Sequence, residues 1–176
     1  MNTQDLHNLV WRYRDELAEY WPTPPIDHAL AFAVTEAGEA IDAWLRTFPE
    51  YARNNDKDHD ELDEWSDCAM MLITAKGRIS TNPRQLAMTR EGIMYSIVWA
   101  WRHPNDASRD FGIESALGEI IAYLGGHENA HARIDTRLRR IAKKVTPVAK
   151  QVTFNPDVHS RSTGYTGSEE AAEVAE

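Results

Sequence analysis

Residues 35–45 read TEAGEAIDAWL and residues 61–73 read ELDEWSDCAMMLI. In both, apolar residues return every three or four positions: Ala37, Ala40, Ile41, Trp44 and Leu45 in the first, Leu62, Trp65, Cys68, Ala69, Leu72 and Ile73 in the second. That period puts them on one face of a helix. Each helix also carries an acidic pair at i, i+3, Glu36 with Glu39 and Glu64 with Asp67, which lies beside the apolar stripe and not opposite it.

Outward from these two segments, almost every stretch before residue 150 keeps the same period, and none shows the alternation of a half-buried strand. The chain is therefore expected to be all-α, a bundle of about five to six helices. A first helix is expected from about Thr3 to Tyr20, ended by Pro22, Pro24 and Pro25. A second runs from near Asp27 to just before Pro49, and the polar linker ARNNDKDHD at 52–60 leads to a third, from about Asp60 to Ile79. Thr81-Asn82-Pro83 has the form of a helix start, for a fourth helix reaching about Trp101. Arg102 to Asp106 breaks it, a fifth is expected from Ile113 to Leu124, and after Gly125-Gly126 a sixth continues to Val145. Beyond Pro147 turn formers and acids replace any core-forming stripe, so the domain is placed at 1–148 and a mobile acidic tail at 149–176.

A length of 176 residues suits one domain, and 42% hydrophobic with 27% charged residues is ordinary for a globular protein. No apolar run approaches the roughly 20 residues a bilayer crossing needs, and the N-terminus is too charged for a signal peptide, which points to the cytoplasm and no membrane partner. Cys68 is the single cysteine, so neither an internal disulfide nor a cysteine zinc site is available. The net charge of -9 argues against nucleic acid as a partner. Its distribution is uneven: residues 1–75 hold 16 acids against 5 bases, whereas residues 76–150 hold 13 bases against 7 acids. Two solvated faces of opposite sign would give this pattern, and so would a metal site facing cations that hold phosphate.

Four carboxylates converging between helices repel one another and resist desolvation unless a divalent cation sits among them. Magnesium suits an all-oxygen donor set and keeps water positions open for phosphate oxygens. Spacing alone is weak evidence, because 28 acids in the chain produce such pairs on solvated faces too, as Glu16/Glu19 and Glu61/Glu64 illustrate. The small residues Ala37 and Gly38, and two pairs on adjacent helices in apolar surroundings, strengthen it.

The arrangement ExxE, 24 intervening residues, then ExxD resembles the MazG-like all-α nucleoside triphosphate pyrophosphohydrolases, and the longer strings TEAGEAIDAW and ELDEWSDCAMMLI are similar to that family's two central helices. The likeness covers roughly residues 26–79 and 113–145. It implies that Glu36, Glu39, Glu64 and Asp67 bind magnesium or manganese while water attacks the α-phosphate, releasing pyrophosphate and a nucleoside monophosphate. Glu36 and Glu39 are both candidates to accept the water's proton. The family often has a basic residue about three turns after the ExxD aspartate, where Arg78 stands with Lys76 nearby. It also has a later Lys-x-x-x-Asn followed by arginines, where this chain has Arg133, Arg137, Arg139 and Arg140; Arg133 replaces the lysine and Arg137 the asparagine. Within the family the chain is similar to the phage MazZ branch, which implies dGTP or another purine deoxynucleotide as substrate. Family members assemble as dimers or tetramers, and residues 81–112, which match nothing in the family pattern, could supply such contacts.

Other constellations compete. His127-Glu128-Asn129-Ala130-His131 satisfies the HExxH spacing of zinc proteases, but Gly125-Gly126 precedes it where a protease helix should continue, and the third ligand motif HxxGxxH does not follow. These histidines read better as polar residues at a helix start. The six tryptophans fit core positions more readily than base stacking; Trp11 and Trp44, on helices beside the acidic pairs, are the candidates for stacking a base. A non-catalytic helical interaction or regulatory protein is the alternative from another class.

Overall fold

The structure, a computed structural model, describes residues 1–51, 60–78, 89–103 and 106–146. They form six helices and no strand: α1 (Thr3–Glu16), α2 (Ile26–Leu45), α3 (Glu61–Lys76), α4 (Arg90–Arg102), α5 (Asp106–Tyr123) and α6 (His127–Val145). The chain divides into a unit of Met1–Val145 and a second of Thr146–Glu176. Thr146 alone of that second unit is described, so the expected tail lies outside the described residues, as do the helix start at Thr81-Asn82-Pro83 and all of the 52–60 linker except Asp60. No described helix is long and apolar enough to cross a membrane.

The helix ends follow from local chemistry. Asn2 caps α1 through a reciprocal box with Asp5. Asp60 caps α3, its side chain accepting from the Leu62 N–H at 3.0 Å. Gly77 closes α3 with φ 94°, a conformation that a Cβ would strain. α1 stops at Glu16, four residues short of the expected Tyr20. The chain turns there so that Trp21 stacks on the buried Arg14, whose guanidinium lies 3.6 Å from the indole centre and donates to the Pro22 carbonyl at 3.3 Å. Burial lowers the Arg14 pKa to about 10. α5 begins at Asp106, seven residues before the expected Ile113, and runs through Gly112. A Cβ at Gly112 would fall 2.9 Å from the Ala100 nitrogen and the Ser96 carbonyl oxygen, so glycine there permits α4 and α5 to touch backbone to backbone.

α3 is the hub. It packs on α1, α2, α5 and α6, most extensively on α2, and from Glu64 to Met70 every residue is buried. A helix enclosed on nearly all sides carries its polar groups inward, where they must be satisfied or put to use. The α2 face against it is made of Ala29, Ala33, Ala37 and Ala40, all fully buried. These small residues bring α2 close enough for the Cys68 thiol to reach the Ala33 carbonyl oxygen at 3.4 Å.

Candidate metal centre

Close packing of α2 on α3 sets the acidic groups face to face. One carboxylate oxygen each from Glu36, Glu64 and Asp67 lies within 4.8 Å of the others. Glu64 and Asp67 are buried and Glu36 is half-buried. Burial, then the carboxylates of Asp67, Glu39 and Glu64, push the Glu36 carboxyl up to about 7, against a smaller opposing pull from Arg137. Cys68, enclosed beneath them, is held protonated, first by burial and then by Glu36 and Asp67. Glu39 is exposed one turn further along α2, outside this group of three but near enough to act on Glu36.

An octahedral magnesium ion spans about 4.2 Å between opposite ligand oxygens. Adjacent ligand oxygens lie only about 3 Å apart, so the three carboxylates, whose oxygens stand within 4.8 Å of one another, would draw together by up to roughly 2 Å to share one ion. Their chemistry fits as well, since they are all hard oxygen donors with an excess of negative charge that raises Glu36.

α6 faces the same end of α3 with a basic stripe. Arg137 takes both oxygens of Asp67, Nε donating to Oδ1 at 2.9 Å and Nη2 to Oδ2, and its Nη1 reaches Asp63 Oδ2 at 3.4 Å. The hydrogen bonds it donates to Asp67 hold the guanidinium even more firmly protonated than usual. Arg140 donates to Asp63 at 2.9 Å, and Arg133 lies 3.5 Å from Asp60 and 3.6 Å from Asp63. Beside these pairs opens a groove of about 680 Å³ lined by Asp60, Asp63, Asn129, Arg133, Thr136 and Arg140 among others, a size suited to a small molecule. Asp60 and Asp63 were not singled out as site residues from sequence, and Arg140 only as one of the arginines that follow Arg137. Their signal was present as complementary stripes, acids at 60, 63 and 67 and arginines at 133, 137 and 140, each at helical spacing.

No family model, curated protein or solved structure matches the chain. The site is therefore read from its own geometry.

The remaining sequence candidates lie elsewhere. Lys76 is about 14 Å along the helix axis from Asp67 and is held by Asp110 at 2.7 Å and Glu114 at 2.9 Å, its side chain 9% exposed. Arg78 pairs with Asp15 at 2.6 Å, and its guanidinium covers the Trp11 ring at 4.5 Å. These three candidates thus cluster at the C-terminal end of α3, apart from the carboxylates. Trp44 is covered by Arg90 at 4.5 Å, and Arg90 is fixed by both oxygens of Glu61. Burial alone would raise the Glu61 pKa, but hydrogen bonds from Arg90, Tyr123 and Trp65 outweigh it and hold the carboxylate ionised. His127 begins α6 and shares a hydrogen bond with the Thr3 hydroxyl at 3.0 Å, and among the described residues no metal-ligand group includes it or His131.

Proposed function

We propose that the chain is a magnesium-dependent nucleoside triphosphate pyrophosphohydrolase of the MazG-like kind, with a purine deoxynucleotide such as dGTP as its substrate. The observation that carries this reading is the convergence of Glu36, Glu64 and Asp67 from two closely packed helices, opposite the arginine stripe of α6. Glu36, Glu64 and Asp67 would hold magnesium, or manganese in its place, with Glu39 at the exposed edge. When bound, the ion supplies charge neutralisation at the phosphate oxygens and lowers the pKa of water.

The side chains account for the rest. Glu36 and the exposed Glu39 are the two candidates to accept the water's proton. The new bond joins water oxygen to the α-phosphorus, the bond to the bridging oxygen breaks, and pyrophosphate leaves with its electron pair. Arg133 lines the groove and Arg137 reaches Asp63 in its wall, positions from which they can match phosphate charge. Exposed aromatic side chains at Tyr95, Trp101 and Phe111 support self-association of the chain as a dimer or tetramer; light scattering that gives a stable monomer would refute this part.

The test is a panel of nucleoside triphosphates with magnesium or manganese, the products identified by chromatography. Monophosphate and pyrophosphate in equal amounts, strongest for a purine deoxynucleotide and lost in Glu64→Gln at unchanged helicity, are the expected result. Absence of turnover across the panel would instead favour the non-catalytic interaction protein.

A further inference from the structure

Asp67 is already engaged by one cation. Both of its carboxylate oxygens accept from Arg137, which comes from a different helix and meets Asp67 side-on with Nε and Nη2. A divalent ion bound by Asp67 would face that guanidinium within a few ångströms, an unfavourable contact in a half-buried setting. Arg137 already has a second partner in place: its Nη1 lies 3.4 Å from Asp63 Oδ2, one turn nearer the start of α3 and beside the groove. A rotation of the side chain towards Asp63 would vacate Asp67 without leaving the guanidinium unpaired.

We propose that Arg137 is the built-in counter-cation of the metal-free site and exchanges with the divalent ion. This inference rests on the metal reading above and assigns the arginine a second role. In the metal-free chain it neutralises Asp67 and keeps the crowded carboxylates from driving α2 and α3 apart. When a divalent ion takes Asp67, Arg137 is released towards Asp63 and the groove, where an anionic phosphate would meet it. Metal entry and presentation of the phosphate-binding arginine are then one event. Affinity for the ion alone is lower than three converging carboxylates could give, and an anion that draws Arg137 away raises it, as linkage requires.

The experiment uses the full chain and manganese alone, followed by calorimetry. Wild type should bind Mn²⁺ in a manner that Glu36→Gln weakens. Arg137→Gln should bind it roughly ten- to a hundredfold more tightly, the factor set by loss of a charge-assisted pair that favours the metal-free state. If wild type binds Mn²⁺ through Glu36 and Arg137→Gln binds no more tightly, the exchange is wrong while the metal site stands. If Mn²⁺ binds nowhere, or Glu36→Gln binds like wild type, the metal reading falls and takes the exchange with it. A second measurement avoids dependence on a variant's folding. In arginine-labelled wild-type protein titrated with Mg²⁺, the Arg137 Nε–H resonance, assigned through Arg137→Lys, should shift and lose protection from solvent exchange. A resonance unmoved at saturating Mg²⁺ contradicts the proposal.

Discussion

The two ends of α3 treat charge in opposite ways. At the C-terminal end, Lys76 is enclosed between Asp110 and Glu114, and Arg78 is fixed by Asp15 over the Trp11 ring. With Arg109 also 3.8 Å from Asp110, the three acids there are matched by three bases, and the pairs of Lys76 and Arg78 tie α3 to its neighbours. At the N-terminal end, Glu36, Glu64 and Asp67 crowd together, and the arginines of α6 engage Asp67, Asp63 and Asp60 without relieving Glu36, whose pKa stays near 7. Ion pairs that close on themselves hold a structure together. A surplus of one sign, preserved in a half-buried position, invites a ligand of the other.

Removing one charge from each end should break the comparison most sharply. Asp67→Asn is expected to lower kcat/KM for triphosphate hydrolysis by at least about a thousandfold, the scale of losing metal-assisted charge stabilisation. Lys76→Met should leave that constant within about twofold, since the side chain lies far from the carboxylates. A comparable loss in both variants would mean that the two ends work as one site. In equilibrium denaturation Lys76→Met should be felt instead: it takes the Lys76 partner from the half-buried Glu114 and leaves Asp110 only Arg109 at 3.8 Å, and should cost about 1–3 kcal/mol.

A smaller effect distinguishes the ends by pH. Because the Glu36 carboxyl is raised from 4.5 to about 7, the protonated form is favoured in the folded chain. Its contribution to stability is complete below 4.5 and is lost as pH rises through 7. Without metal the melting temperature should therefore fall across this interval. Saturating magnesium takes the ionised form, so the gap between melting temperatures with and without metal should widen with pH. Glu36→Gln should abolish the widening, and a gap of constant size would show that Glu36 is not the group involved. The smallest effect belongs to Arg78→Ala. This pair is exposed, and denaturation should register a change within about 1 kcal/mol.

Much of this contrast could be read in the sequence, and some could not. Periodicity revealed every helix among the described residues, even α3, which is buried on nearly all sides. It misplaced the start of α4, which begins at Arg90 after the extended cap residue Thr89, and that of α5, where Gly112 and the polar turn before it resemble a break. The glycine is instead required by the approach of α4, a tertiary demand with no local trace. The acidic pairs showed themselves through apolar neighbours, and three of the four acids converge. Glu61 looked like an accidental partner of Glu64. It is in fact the acceptor for Trp65, one turn on in the same helix, and for Tyr123 and Arg90, which only tertiary folding brings to it. Arg78, with Lys76 nearby, was placed in the site by the family's basic position three turns after Asp67, and Trp11 by a helix expected beside the acidic pairs, but an offset along a helix does not tell which neighbour's acids will claim a cation first.

Manganese-induced broadening of backbone amide resonances tests the central assignment most directly, because the ion marks its own location. At substoichiometric Mn²⁺, signals from residues 33–40 of α2 and 63–68 of α3 should broaden first, while Gly77, Arg78 and Trp11 keep their intensity. Broadening centred on the far end of α3, or spread evenly over the acidic surface, would contradict a divalent cation site built from Glu36, Glu64 and Asp67.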